Sequence, residues 1–69
     1  MKRRSYGRME LAMEYCPGLR PTSAWRCLRQ WIENNRDLCS QLAALGYDGH
    51  QRVFTPAQVQ AIVNILGEP

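Results

Sequence analysis

Read at 3.6 residues per turn, the stretch from Thr22 to Glu33 separates into two faces. Ala24, Trp25, Leu28, Trp31 and Ile32 fall on one side, and Ser23, Arg26, Arg29, Gln30 and Glu33 on the other. Both tryptophans of the chain anchor this helix. The pattern predicts an inner stripe of Trp25, Leu28, Trp31 and Ile32 buried against Leu11, Tyr15, Leu42 and Val63.

The flanking elements follow from the same kind of reading. Ser5-Tyr6-Gly7 is a short extended lead-in, with Gly7 as N-cap and Glu10 at the capping-box position. A first helix over about Arg8 to Cys16 turns Leu11, Ala12 and Tyr15 inward and keeps Glu10 and Glu14 wet, with Met9 and Met13 off the stripe. Pro17-Gly18 ends it, Pro21 marks the next start, and Thr22 or Ser23 is expected to cap the second helix. Asn34-Asn35 breaks that helix and Asn35 caps a third, in which Leu38, Leu42 and Leu45 recur as a core stripe. Gly46 stands where a left-handed residue ends a helix.

Between Tyr47 and Phe54, Asp48-Gly49 is a turn dipeptide and Arg52-Val53-Phe54 has β character, so a small hairpin or extended wing is predicted. Thr55-Pro56-Ala57-Gln58 then supplies an N-cap, a proline at the first helical position and a glutamine completing the box. The fourth helix buries Val59, Ile62, Val63 and Leu66 and stops at Gly67. The expected fold is mostly α: a compact bundle of about four helices with a helix-turn-helix-like unit and a small β-hairpin or extended wing before the last helix. It is expected to form one domain over residues 1–69, with 1–5 as a basic arm.

Size and composition limit what such a fold does. A chain of 69 residues buries only about 60% of its unfolded surface, which allows one modest core and no deep enzyme cleft. No apolar run approaches the roughly 18 residues of a membrane span. The basic start, Met1-Lys2-Arg3-Arg4, leads into a polar, acidic helix rather than an apolar signal core, so a cytoplasmic protein without membrane partner is expected. Cys16, Cys27 and Cys39 lack the close pairs of a zinc ribbon or redox motif. With His50 they make a nominal four-ligand set whose spacing does not favour zinc, and small buried or half-buried thiols are the expectation. No nucleophile has a base at readable spacing, and there is no phosphate loop. Neither an enzyme nor a cofactor, metal or small-molecule substrate is expected.

Charge points elsewhere. Nine basic residues against six acidic ones give +3 and an isoelectric point near 9.1, a balance that permits nucleic-acid binding. Two short helices joined by a proline–glycine turn, the second carrying arginines outward, describe a helix-turn-helix. In such a unit Ser23, Arg26, Arg29 and Gln30 would face the major groove, where arginine grips guanine and glutamine pairs with adenine. His50 and Arg52 in the wing, and Lys2, Arg3 and Arg4 in the arm, would contact phosphates or the minor groove. Against this stands a solvated surface: Arg29 and Glu33 suit a simple i,i+4 pair, and Arg52 suits a stem packed on Phe54 or Tyr47. The alternative function is a protein-interaction module presenting the same helix or the last one. Ala57, Ala61 and Ile65, on an uncharged helix, are the candidate interface of a homodimer or other protein contact.

Tyr6-Gly7-Arg8-Met9-Glu10-Leu11-Ala12 resembles the Tyr-Thr-x-x-Glu-Leu-Ala opening of MerR-like winged-helix regulators and excisionase-like proteins. Arg52-Val53-Phe54-Thr55-Pro56-Ala57-Gln58-Val59 is similar to their passage from wing to helix. That resemblance implies a DNA-binding regulator or accessory factor of a mobile element. Two features differ from it: the Cys16–Pro21 connection is longer than a usual helix-turn-helix turn, and Asn34–Gly46 reads as a full helix. Over nearly its whole length the chain resembles a family of small bacterial proteins grouped as a domain of unknown function (DUF4248-like). The shared elements are Tyr-Gly-Arg-x-Glu-Leu-Ala, Pro-x-Ser-Ala-x-Arg-x-Leu-x-x-Trp-Ile, Leu-x-x-Leu-Gly-Tyr, Arg-x-Phe-Thr-Pro-x-Gln-Val and Leu-Gly-Glu-Pro. This second resemblance implies membership and carries no function with it.

Overall fold

The computed structural model describes residues 2–69. Their elements are β1 (Tyr6–Gly7), α1 (Arg8–Tyr15), α2 (Pro21–Glu33), α3 (Arg36–Ala44), β2 (Val53–Phe54) and α4 (Pro56–Leu66). The protein is mostly α, as the periodicity predicts. Its Cα radius of gyration of 10.7 Å is close to the roughly 11 Å expected of a globule this long.

Local chemistry sets most boundaries. The Gly7 amide donates to the Glu10 carboxylate at 3.1 Å, and the Asn35 side chain caps α3 by accepting from the Leu38 amide at 3.0 Å. Thr55 and Gln58 close both bonds of a capping box around Pro56. At the end of α3 the Gly46 amide reaches the Ala43 carbonyl and the Tyr47 amide reaches that of Leu42. With Gly46 at φ 88°, this is a Schellman closure, whose left-handed residue suits glycine because it has no Cβ to clash. One cap differs from expectation. Pro21 is itself the first residue of α2 and Arg20 is the N-cap, making no side-chain cap bond, so Thr22 and Ser23 lie inside the first turn.

The core draws on every helix. Leu11, Ala12, Ala24, Trp25, Leu28, Ile32, Leu38, Leu42, Val59, Ile62 and Val63 are buried, and Tyr6 and Phe54 join them from the strands. Phe54 lies between aromatic rings, tilted against Trp25 and stacked on Tyr47 at 5.3 Å between centroids. The wing is extended, and its partner is distant in sequence. Tyr6 pairs with Phe54 and Gly7 with Val53 in an antiparallel ribbon, so the chain's beginning, rather than a neighbouring strand, satisfies β2.

Four core expectations are corrected, the first being Leu66, which is half-buried near the end of α4 rather than inside the core. Trp31 is 39% exposed; it meets Tyr15 edge-on at 6.3 Å at the margin of the α1–α2 contact instead of inside it. Leu45 is 41% exposed, because it is the C-cap of α3 and the helical phase that aligned it with Leu38 and Leu42 has ended. Tyr15 is only half-buried, and its hydroxyl donates to the Gly67 carbonyl at 2.6 Å.

Gln58 has a larger role than its capping position implies. It is 1% exposed. Its Oε1 accepts from the Thr55 amide and from the Gln51 side chain, while its Nε2 donates to the Leu45 carbonyl at 3.1 Å. One buried amide therefore ties the end of α3, the wing loop and the start of α4 together, with its hydrogen-bonding groups satisfied.

Candidate functional site

The outer face of α2 divides along its length. Near its start Arg20, Ser23 and Arg26 are exposed, and their side chains make no hydrogen bond or ion pair among the described residues. Near its end the polar groups are engaged: Arg29 pairs with Glu33 at 3.1 Å and Gln30 donates to Asn34 at 3.2 Å. The simpler expectation for Arg29 therefore describes its observed geometry. Glu33 beside Arg29 also places a carboxylate where a phosphate would have to approach.

The basic arm is folded back. Arg3 bonds the Gln60 side chain and pairs with Glu68 at 3.0 Å, which holds it against α4. Arg4 pairs with Glu10 at 2.8 Å and lies over the Tyr6 ring at 3.8 Å. The Arg4 guanidinium, and after it the Gly7 amide, hold the Glu10 carboxyl below its ordinary range. Lys2 is exposed. The structure thus does not bring Lys2, Arg3 and Arg4 together as one free patch.

In the wing, Asp48 accepts from the His50 and Gln51 amides at 2.8 and 3.0 Å. Those bonds lower its pKa, that from His50 most, and they shape the turn at Gly49, whose φ is 85°. His50 and Arg52 are exposed. Next to Arg52 lies a residue that the sequence pattern did not single out, Arg8. Its amide donates to the Arg52 carbonyl at 2.8 Å, and its guanidinium sits 5.6 Å from the Trp25 ring centroid. Arg8 and Arg52 line an open cleft of about 320 Å³ with Gly7, Met9 and Glu10. Burial pushes the Tyr47 hydroxyl up, and the charges of Arg29 and Arg8 act on it in the opposite direction.

The candidate interface on α4 also changes. Ala61 is 6% exposed and belongs to the core, so it is withdrawn; Ala57 is exposed and Ile65 half-buried. The absence of charge along α4 reflects burial over a broad arc, from Gln58 and Val59 to Ala61, Ile62 and Val63.

The three cysteines are unpaired and half-buried. The Cys39 thiol donates to the Ile32 carbonyl at 3.0 Å. Burial, then contact with Cys27, pushes the Cys16 thiol up, which disfavours the reactive thiolate. Among the described residues no three His, Cys, Asp or Glu side chains converge to hold a metal ion, and no helix is long and apolar enough to cross a membrane.

Comparison with known proteins adds a family. The model of the family described as a domain of unknown function (DUF4248) matches residues 2–69. The chain belongs to that family. No curated protein and no solved structure matches the chain.

Proposed function

We propose that this domain binds duplex DNA through the N-terminal half of α2, with Arg26 and Ser23 facing the major groove and Arg20 at a phosphate. The observation that supports this most is the state of that helix end. Its N-cap makes no side-chain bond and its first turn contains no acidic residue, although the positive end of a helix dipole favours both. Placing Arg20 there instead is unfavourable for the isolated helix and favourable toward a polyanion. By contrast α1 and α3 carry Glu10 and Asp37 in their first turns, and α4 has a complete capping box.

Fluorescence anisotropy with a random-sequence duplex at low salt tests this reading. Binding at tens of micromolar or tighter is expected, weakening steeply as salt rises; no binding under those conditions overturns it. Among duplexes of different sequence, Arg26→Ala should reduce discrimination by about 1–3 kcal/mol.

A second reading, a protein-interaction module, is favoured by Trp31. An indole 39% exposed on a helix is the kind of side chain that anchors protein interfaces. In that reading Trp31 docks a partner, and Ala57 and Ile65 are the remaining candidates for self-association. Sedimentation at rising concentration, with and without Trp31→Ala, separates this from the DNA reading.

A further inference from the structure

Arg8, the first residue of α1, and Arg52, just before β2, flank one end of the ribbon. The register pairs Tyr6 with Phe54 and Gly7 with Val53, and the bond from the Arg8 amide to the Arg52 carbonyl at 2.8 Å carries it one step further. Neither guanidinium forms a salt bridge among the described residues. The carboxylate that lines the same cleft, Glu10, is bound by Arg4 at 2.8 Å and by the Gly7 amide. The cleft that both arginines line is open to solvent and of the order of 320 Å³, ample for a tetrahedral oxyanion. Arg8 is further steadied by the Trp25 ring 5.6 Å away, a cation–π contact that limits its freedom before any ligand arrives.

We infer that Arg8 and Arg52 form a clamp for one backbone phosphate of the bound duplex, an inference that rests on the DNA-binding reading above. Guanidinium forks match phosphate oxygens in pairs, and the cleft that both residues line leaves room for one phosphate. Arg8 packs against Trp25 of α2 through its guanidinium, so a phosphate held there fixes the duplex relative to the reading helix. The clamp supplies position and affinity, while sequence preference stays with Arg26.

Three variants test this: Arg8→Gln, Arg52→Gln and the double change. Each is measured for duplex affinity across a salt series and for melting temperature with and without inorganic phosphate at constant ionic strength. The clamp predicts weaker binding to every duplex sequence. It also predicts that the double variant's salt slope falls by about 0.9, the value of one phosphate contact on B-DNA. In the free protein, phosphate should raise the melting temperature of the wild type alone. If the wild type binds DNA and the variants keep its affinity and slope, the clamp is wrong and the DNA reading stands. A slope loss near 1.8 means two separate phosphates and also overturns the single-phosphate clamp. If the wild type binds no duplex but phosphate stabilises it and not Arg52→Gln, the oxyanion site is supported with a free anion as ligand, and the DNA reading fails. Failure of both measurements removes both.

Discussion

The two halves of α2 share a backbone and a sequence style, yet they are embedded differently. In the first half Trp25 is 7% exposed and lies against Phe54, while Arg20, Ser23 and Arg26 are exposed without side-chain partners among the described residues. In the second half Trp31 is 39% exposed, and Arg29 and Gln30 are bonded to Glu33 and Asn34 one turn on. Where the indole is used by the core, the polar face is left open; where the indole is at the surface, the polar face is closed on itself. The difference arises from what lies beneath. The β1–β2 ribbon brings Phe54 against Trp25 in the first half, whereas in the second half Trp31 meets Tyr15 at the end of α1 and Ile32 meets Cys39 of α3.

The largest effect that would break this comparison is on stability. Trp25→Ala should cost about 3–5 kcal/mol, as for a large core side chain. Trp31→Ala should cost about 1 kcal/mol, the scale of one edge-on aromatic contact. Urea denaturation of the two variants measures this directly. Equal losses would mean that both halves of the helix are core.

A smaller effect probes what holds the wing in place beneath the first half. Gln58→Leu keeps the volume but leaves the Leu45 carbonyl and the Thr55 amide without their side-chain partner. A loss of about 1–3 kcal/mol is expected from such unpaired polar groups. The same urea series reads it out, and an unchanged midpoint would show that the amide network is dispensable.

The smallest effect is on pH dependence. Asp48 and Glu10 have lowered pKa values through bonds from the His50 amide and the Arg4 guanidinium respectively. A carboxyl lowered by folding contributes stability that is fully present above its unfolded value. That contribution is lost as pH falls through the lower folded one. The melting temperature should therefore hold down to the ordinary carboxylate range and decline below it. Asp48→Asn removes the titrating charge while keeping an oxygen for the two amides, and should flatten part of that decline. An acid profile identical to the wild type would remove Asp48 from the account.

What was legible in the sequence was local. Asn35, Gly46, Thr55, Pro56 and Gly67 act on groups within a few residues, so their chemistry fixed helix starts and stops without reference to the rest of the molecule. What was not legible depended on distant partners. Trp31 has the same periodicity as Trp25, and only the placement of α1 and the ribbon separates them. Leu45 matches the spacing of a core stripe, but the helix closes at Gly46 and turns it out. Ala61 and the uncharged run around it suggested a surface for a partner, whereas the run is uncharged because α4 is buried on several sides. Arg8 stayed hidden because its significance lies in the pairing with Arg52, far along the chain, that β1 and β2 impose.

The comparison between the halves of α2 is tested most directly by duplex binding of Arg26→Ala beside Arg29→Ala, with folding of both confirmed by melting. Binding through the first half predicts that Arg26→Ala weakens affinity for a preferred duplex about tenfold or more, within the range of one lost base contact. Arg29→Ala, whose guanidinium is already matched by Glu33, should stay within about twofold, in line with the small energy of an exposed pair. Equal losses in the two variants, or a larger loss for Arg29→Ala, would contradict the account.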